Sequence, residues 1–223
     1  MDITATFATE PTPLCCLIEK YGSDKGYVTY TPETHHNYTL YYHNLFKGRR
    51  YEPLRIFELG IGTTNSEILC NMGTDGKPGA SLRAWRDYFP LAQIYAADID
   101  DKIMLDERRI KTYHCDQESS ESIRNLWQNN IELWTGFDII IDDGLHRLEA
   151  NKTFFENTIH KLNVGGVFII EDVGSYYLGH YGGLLTAWQL KYPNLEFRLI
   201  DYKELNHQTN IYDNVLIIAK RLY

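Results

Sequence analysis

Two apolar runs, Phe137 to His146 (FDIIIDDGLH) and Val164 to Val173 (VGGVFIIEDV), each end in a pair of carboxylates. Continuous β-branched stretches of this kind read as buried parallel strands, which carry polar groups out at the carboxyl edge of a sheet. Open α/β sheets place their active sites at that edge. Asp142, Asp143, Glu171, Asp172 and His146 are therefore expected to converge on one crevice. Carboxylates hold hard cations, and an imidazole with a pKa of about 6.5 takes or gives a proton at neutral pH. The bland reading of His146 is a histidine at a helix N-terminus, bonded to backbone.

A second polar set precedes these acids. FELGIG, Phe57 to Gly62, ends in Gly60-Ile61-Gly62, where the backbone turns sharply and a ligand can approach the main chain. The third glycine of the dinucleotide fingerprint is replaced by Asn65, and Glu58 precedes the turn; both weigh against NAD. A lone pair of glycines also occurs in simple turns. Asp98 ends the next strand, where a carboxylate accepts hydrogen bonds from ribose hydroxyls. Asp100 and Asp101 follow, and a solvated loop is the alternative for any of the three. Asp116 and Gln117 end a third strand, suited to the exocyclic amine of an adenine or to an N-cap before Ser119.

These residues need a scaffold that gathers strand ends. From Arg55 onward, short β-rich runs alternate with helical patterns. Strands are predicted at Arg55 to Gly60, Gln93 to Ile99, Lys111 to Asp116, Phe137 to Asp142 and Val167 to Glu171. Helices are predicted at Ser81 to Tyr88, Ser119 to Asn129, Leu148 to Leu162 and Leu184 to Lys191. Such alternation means βαβ units and a mainly parallel sheet. Leu195 to Asp201 and Asn214 to Lys220 follow without a helical pattern between them, so this last pair is expected to be antiparallel.

Residues 1–50 differ. Tyr- and His-rich from Tyr27 to Tyr42 and interrupted by Pro11, Pro13 and Pro32, they read as an aromatic cap on the sheet or on another subunit, or as a lid. Thr63 to Gly79 is a second irregular segment. Gly174 to Gly183 reads as a loop whose Tyr176, Tyr177, Tyr181 and His180 suit an acceptor pocket, with a surface loop as the alternative. His35, His36, His43, His114, His160, His180 and His207 show no HxxxH or HxH metal spacing around the acids.

A chain of 223 residues with 43% hydrophobic content can bury the core of one α/β domain with an N-terminal extension. Its net charge of -8 lowers the expectation of nucleic-acid binding, which draws on clustered Lys and Arg. Lys47 to Arg50 and Arg108 to Lys111 are short basic stretches that read as solvated surface. The N-terminus lacks a signal-peptide pattern and no stretch approaches the ~18 apolar residues of a membrane span, so a cytoplasmic protein is expected. Cys15, Cys16, Cys70 and Cys115 lack CxxC spacing and read as reduced thiols.

Taken in order, these motifs resemble the class I S-adenosylmethionine-dependent methyltransferases, and more narrowly the metal-dependent macrolide-sugar O-methyltransferases of the mycinamicin type. The resemblance runs through YGSDKG (Tyr21 to Gly26), HHNYTLYYHNLF (His35 to Phe46), FELGIG, GASLRAWRDYFP (Gly79 to Pro90), AADID (Ala97 to Asp101), Asp116-Gln117, IIDDGLH and IIEDV. It implies an α/β Rossmann-like methyltransferase fold with a seven-stranded, mainly parallel sheet of order 3-2-1-4-5-7-6 and an antiparallel last strand. Residues 1–50 would be the cap or lid and residues 51–223 the catalytic domain.

Carried over by position, Glu58, Gly60 and Gly62 would shape the methionine end of the cofactor pocket, Asp98 would bind the ribose, and Asp116 with Gln117 would face the adenine. Ile99 and Asp142 count with these cofactor-binding residues, and Lys25, Tyr38 and Ser81 are candidates for the cofactor's carboxylate end. The resemblance also implies Mg²⁺ held by Asp143, Glu171 and Asp172, with His146 beside Asp143 as the catalytic pair; which of Glu171 and Asp172 faces the ion is left open. The implied activity is Mg-assisted methylation, from S-adenosylmethionine, of a small-molecule hydroxyl on a sugar or glycosylated natural product. Coordination lowers the hydroxyl pKa, His146 takes the proton, and the alkoxide attacks the sulfonium methyl in line.

Three alternatives stand beside it. One is an NAD-dependent oxidoreductase on a similar sheet, and another a non-catalytic cofactor-binding protein. The third is an iron-dependent hydroxylase, whose triad needs two histidines where only His146 is placed. The aromatic N-terminal segment is compatible with a homo-oligomer.

Overall fold

The computed structural model describes residues 1–26, 36–202 and 214–223. Part of the aromatic stretch, with Pro32 and His35, and most of the polar loop before Asn214, with His207, lie outside the described residues. The predicted strands and one addition form one sheet: β1 (Arg55–Leu59), β2 (Gln93–Asp98), β3 (Asp106–Glu107), β4 (Ile110–His114), β5 (Phe137–Asp142), β6 (Leu162–Ile170), β7 (Leu195–Asp201) and β8 (Val215–Arg221). Pairing is parallel from β4 through β2, β1 and β5 to β6, and β8 runs antiparallel to both β6 and β7.

Among the described residues the sheet has eight strands, in the order β3-β4-β2-β1-β5-β6-β8-β7, which corrects the expected seven-strand order. The addition is β3, a two-residue strand antiparallel to β4 at the outer edge. Its length leaves no alternation to read. Besides its pairing with β4, its entry is fastened by the Thr112 hydroxyl, which accepts from the Leu105 amide and donates to the Leu105 carbonyl.

The register fixes the height of the site. Leu59 pairs with Asp142, and Asp142 with Ile170, so Gly60, Asp143 and Glu171 leave their strands side by side. Both faces of the sheet are covered, as parallel sheets require. On one face Ile56, Ile94, Ile139, Ile141 and Val167 pack with α1 (Pro13–Tyr21), α2 (Tyr38–Phe46) and α3 (Ala80–Tyr88). On the other, Phe57, Ile140, Phe168 and Ile170 pack with α4 (Ser120–Asn129), α5 (Leu148–Thr158) and α6 (Leu178–Lys191).

Two expectations about local structure fail. Pro13 starts a helix instead of interrupting one: it sits in the first turn of α1, where a missing N–H costs nothing, behind Thr12, whose hydroxyl accepts from the Cys15 amide. The predicted loop Gly174 to Gly183 is largely helix, since α6 begins at Leu178. Its glycines disfavour helix by about 1 kcal/mol each. Tertiary burial offsets that cost: Tyr181 and Trp188 are both buried, and Trp188 stacks on Phe155 with ring centroids 3.9 Å apart. No described helix is long and apolar enough to cross a membrane.

Candidate active site at the carboxyl edge of the sheet

The loops that leave β1, β2, β4, β5 and β6 enclose a cavity of about 460 Å³. Nine predicted site residues line it: Gly60, Gly62, Asp98, Ile99, Asp116, Gln117, Asp143, His146 and Asp172. Glu58, Ser81, Asp142, Lys25, Tyr38 and Glu171 are not among its lining residues.

The glycine loop is shaped by close approach. Gly60 has φ +93°, and a Cβ there would lie 2.0 Å from the Asp143 carbonyl oxygen, so only glycine lets β1 and β5 exit so near each other. Asp98 holds this loop from β2. Its Oδ2 accepts from the Ile61 amide at 2.7 Å and its Oδ1 from the Asp100 amide at 3.0 Å. Glu58 is fully buried beneath the loop, accepting from the Ser81 hydroxyl and the Trp85 indole N–H.

Gln117 ties β4 to β5: its Nε2 donates to Asp142 at 2.8 Å and its Oε1 accepts from the Leu145 amide at 2.7 Å. Asp142 is fully buried and accepts a second bond from Asn151 at 3.0 Å. Burial pushes its carboxyl up to about 6 against the pull of Asn151. Asp142 therefore orients the loop that carries Asp143 and His146.

The chemistry concentrates at three side chains. One ligand atom each from Asp143, His146 and Asp172 lies within 4.8 Å of the others. His146 Nε2 stands 3.3 Å from Asp143 Oδ1 and 3.5 Å from Asp172 Oδ2, yet it is buried without a hydrogen-bond partner. His146 and Asp172 both adopt positive φ, +55° and +54°. Left-handed backbone at non-glycine residues is uncommon, although Asp and His tolerate it better than most. Burial opposes charge on His146, but Asp172 and Asp143 raise its pKa well above the ordinary value. Burial likewise opposes charge on Asp143, and Lys25 with His146 holds its carboxyl well below the usual range.

Glu171 and Asp172 part company here. Asp172 faces the cavity, whereas Glu171 is fully buried, accepting from the Tyr42 hydroxyl and paired with the Lys25 ammonium. Burial raises the Glu171 carboxyl well above its usual range; Lys25 pulls the other way, and Asp143 and Glu58 reinforce the rise. Lys25 and Tyr38, predicted at the cofactor's carboxylate end, are in contact with these acids. Lys25 pairs with Asp143 and Glu171, and the Tyr38 hydroxyl donates to Asp172 Oδ1 at 2.6 Å.

Among the lining residues that sequence spacing missed, Asp24, His36 and Cys70 carry titratable groups. His36 Nδ1 is buried, without a hydrogen bond, 3.4 Å from Asp172 Oδ1, so a second imidazole does stand beside the acids. It arrives on the N-terminal segment, and no local spacing could reveal that. No residue from Gly174 to Gly183 lines this cavity, and the Tyr181 hydroxyl donates to Asn151.

No family model matches the chain. It is 32% identical over 188 residues to the 8-demethyl-8-(2-methoxy-alpha-L-rhamnosyl)-tetracenomycin-C 3'-O-methyltransferase of Streptomyces olivaceus, a span covering 84% of this chain and 44% of that protein. It is 34% identical over 148 residues to the mycinamicin VI 2''-O-methyltransferase of Micromonospora griseorubida, covering 66% of this chain and 34% of that one. The chain thus spans less than half the length of these curated relatives. Among solved structures it superposes on the MycE methyltransferase of the mycinamycin biosynthetic pathway, in complex with Mg and SAH, with a TM-score of 0.70. The identity is 25%, over 96% of this chain and 56% of MycE. By sequence and by fold, this chain is a relative of the sugar O-methyltransferases of macrolide and tetracenomycin pathways, built on the class I methyltransferase sheet.

Proposed function

We propose that the chain is an S-adenosylmethionine-dependent, Mg-assisted O-methyltransferase acting on a hydroxyl of a sugar or glycosylated small molecule. One observation carries the reading: a single cavity joins the Gly60–Gly62 turn and Asp98 on one side to Asp143, His146 and Asp172 on the other. Its volume of about 460 Å³ falls within the range of small-molecule sites. The net charge of -8 favours a small molecule over nucleic acid as partner.

The donor set fits the implied ion. Mg²⁺ takes oxygen ligands, usually one or two carboxylates, with the remainder left to water and substrate. Asp143 and Asp172 present such oxygens to the cavity, and His146 Nε2 is a buried nitrogen with no bond of its own. When bound, the ion would hold the acceptor hydroxyl and lower its pKa, and S-adenosylmethionine would supply the methyl group.

His146 would take the hydroxyl proton at Nε2. Each share of negative charge that Asp143 and Asp172 give to a cation weakens their hold on the imidazolium, returning it toward the range where it accepts a proton. Asp98 keeps the glycine loop in the shape a ribose and methionine tail need, and Gln117 and Asp142 fix the loop that carries the base. Residues 1–50 act in this reading as a cap built into the core, and residues 51–223 as the catalytic part.

Calorimetric titration with S-adenosylhomocysteine, with and without Mg²⁺ and with NAD⁺ as control, tests the reading. Micromolar binding of S-adenosylhomocysteine and none of NAD⁺ is expected. The reverse pattern would move the chain to the oxidoreductases, and binding of neither would favour a non-catalytic protein.

A further inference from the structure

Behind the cavity, one ammonium is set among several buried acids. Lys25 Nζ is in contact with Asp143 Oδ2 and Glu171 Oε2, and lies 3.7 Å from Glu58 Oε1. Lys25 is 3% exposed, and Glu58 and Glu171 are each 0% exposed. Charges so placed persist only when paired and hydrogen-bonded. The oxygens on the buried side are otherwise engaged: Tyr42 donates to Glu171, Ser81 and Trp85 to Glu58, and Tyr38 to Asp172 Oδ1. Among the described residues, Lys25 is the Lys or Arg side chain that pairs with this group of acids.

Two of those acids, Asp143 and Glu171, belong to the set that the family resemblance implies for the metal, and the ammonium stands between them. A cation entering from the cavity meets Asp143 Oδ1, His146 Nε2 and Asp172 Oδ2. It would find Asp143 Oδ2 and Glu171 Oε2 already held from behind.

We infer that Lys25 is the protein's own counter-cation for this cluster and competes with the divalent ion for Asp143 and Glu171. The inference rests on the metal half of the proposed function. Its effects run in opposite directions. Without the ion, the ammonium keeps repelling carboxylates together at the sheet edge and so stabilises the fold. With the ion, like charges are brought within a few ångströms in a poorly solvated place, and affinity is lowered by roughly tenfold or more. A residue that merely shaped the site would lower affinity when removed; Lys25 should raise it.

The test is Mn²⁺ binding, read from the paramagnetic resonance signal of the free ion, together with thermal unfolding with and without Mn²⁺. The proteins are the full chain, Lys25→Met, Glu171→Gln and the double variant. Lys25→Met should bind Mn²⁺ at least about tenfold more tightly than the parent, about 1.4 kcal/mol, while its ion-free form unfolds at lower temperature. Adding Glu171→Gln should restore ion-free unfolding toward the parent, because the carboxylate left without its cation is then gone. Equal or weaker Mn²⁺ affinity in Lys25→Met overturns the inference. If that variant does not fold, the double variant compared with Glu171→Gln alone carries the same ratio, and equal affinities there overturn it. Absence of Mn²⁺ binding by the parent and by Lys25→Met alike overturns the metal half of the proposed function and this inference together. Normal parental binding with an unchanged ratio overturns this inference alone.

Discussion

Replacing Gly60 by alanine should open the site between β1 and β5, and the structure sets the size of the effect. The residue has φ +93°, where an L side chain is strained by about 1–3 kcal/mol. The new methyl would also lie 2.0 Å from the Asp143 carbonyl oxygen and 2.7 Å from its carbonyl carbon. Both are backbone atoms, so no rotamer change relieves the overlap, and overpacking of this kind costs about 1–3 kcal/mol. Together the variant should lose about 2–6 kcal/mol, and the Asp143 loop should move by about 1 Å, a displacement worth about a hundredfold in turnover. Gly165→Ala is the control. Gly165 has φ +78° with nothing within 4 Å of an added Cβ, so it carries the strain without the contact. Urea unfolding and S-adenosylhomocysteine titration of both variants separate the two effects. Gly60→Ala should be the less stable of the pair and should lose ligand affinity, while Gly165→Ala keeps it. If the two variants match in stability and affinity, the close approach at Gly60 does not shape the pocket.

Other perturbations reach the separate roles. His146→Ala should leave S-adenosylhomocysteine affinity intact and depress turnover by roughly 10² to 10⁴, and near-normal turnover would remove it as the base. Asp98→Ala frees the Ile61 and Asp100 amides and should weaken the same ligand clearly; calorimetry at matched stability would reveal unaltered binding if Asp98 plays no part. Treatment with EDTA should stop methyl transfer and Mg²⁺ should restore it, whereas activity that survives chelation would leave the methyltransferase reading without its metal. Asn151→Ala removes one hydrogen bond to Asp142 and one from Tyr181, and leaving these buried groups unsatisfied should cost about 1–3 kcal/mol in chemical unfolding. A change below half that figure would mean that water replaces the amide.

The sheet was legible because its strands are buried on both faces. Runs such as Ile139 to Ile141 and Val167 to Ile170 leave no helical or alternating pattern to confuse them, and each was placed within a few residues. What escaped were elements stabilised by something other than their own pattern. The β3 strand is two residues whose entry at Leu105 is fastened by the Thr112 hydroxyl and amide, and α6 contains three glycines that the burial of Tyr181 and Trp188 makes tolerable. In the N-terminal segment the sequence leaves the tyrosines between a cap on the sheet, a contact with another subunit and a lid, and the structure shows the first. Tyr38, Tyr41 and Tyr42 are each 0% exposed, packed against α3 and the sheet.

The acids at the strand ends followed from the same pattern, but their division of labour did not. The β6 strand ends at Ile170, whose side chain packs in the core on the α5 and α6 side. Strict alternation would send Glu171 to the opposite face, toward Tyr42 and Lys25, and it does go there. Alternation would then return Asp172 to the first face. Its left-handed backbone at φ +54° turns it out of the strand instead, into the cavity beside His146. A composition of two adjacent carboxylates cannot show that turn, because Asp adopts the left-handed region only where the surroundings over-determine it. Here the surroundings are the Tyr38 hydroxyl, which both donates to Asp172 Oδ1 and accepts from its amide. Tyr38, Lys25 and His36 all come from the segment before β1, more than a hundred residues earlier in the chain, and together they decide which carboxylate meets the cavity and which stays buried. The segment read as a cap or lid is thus the part of the fold that sets the polarity of the site.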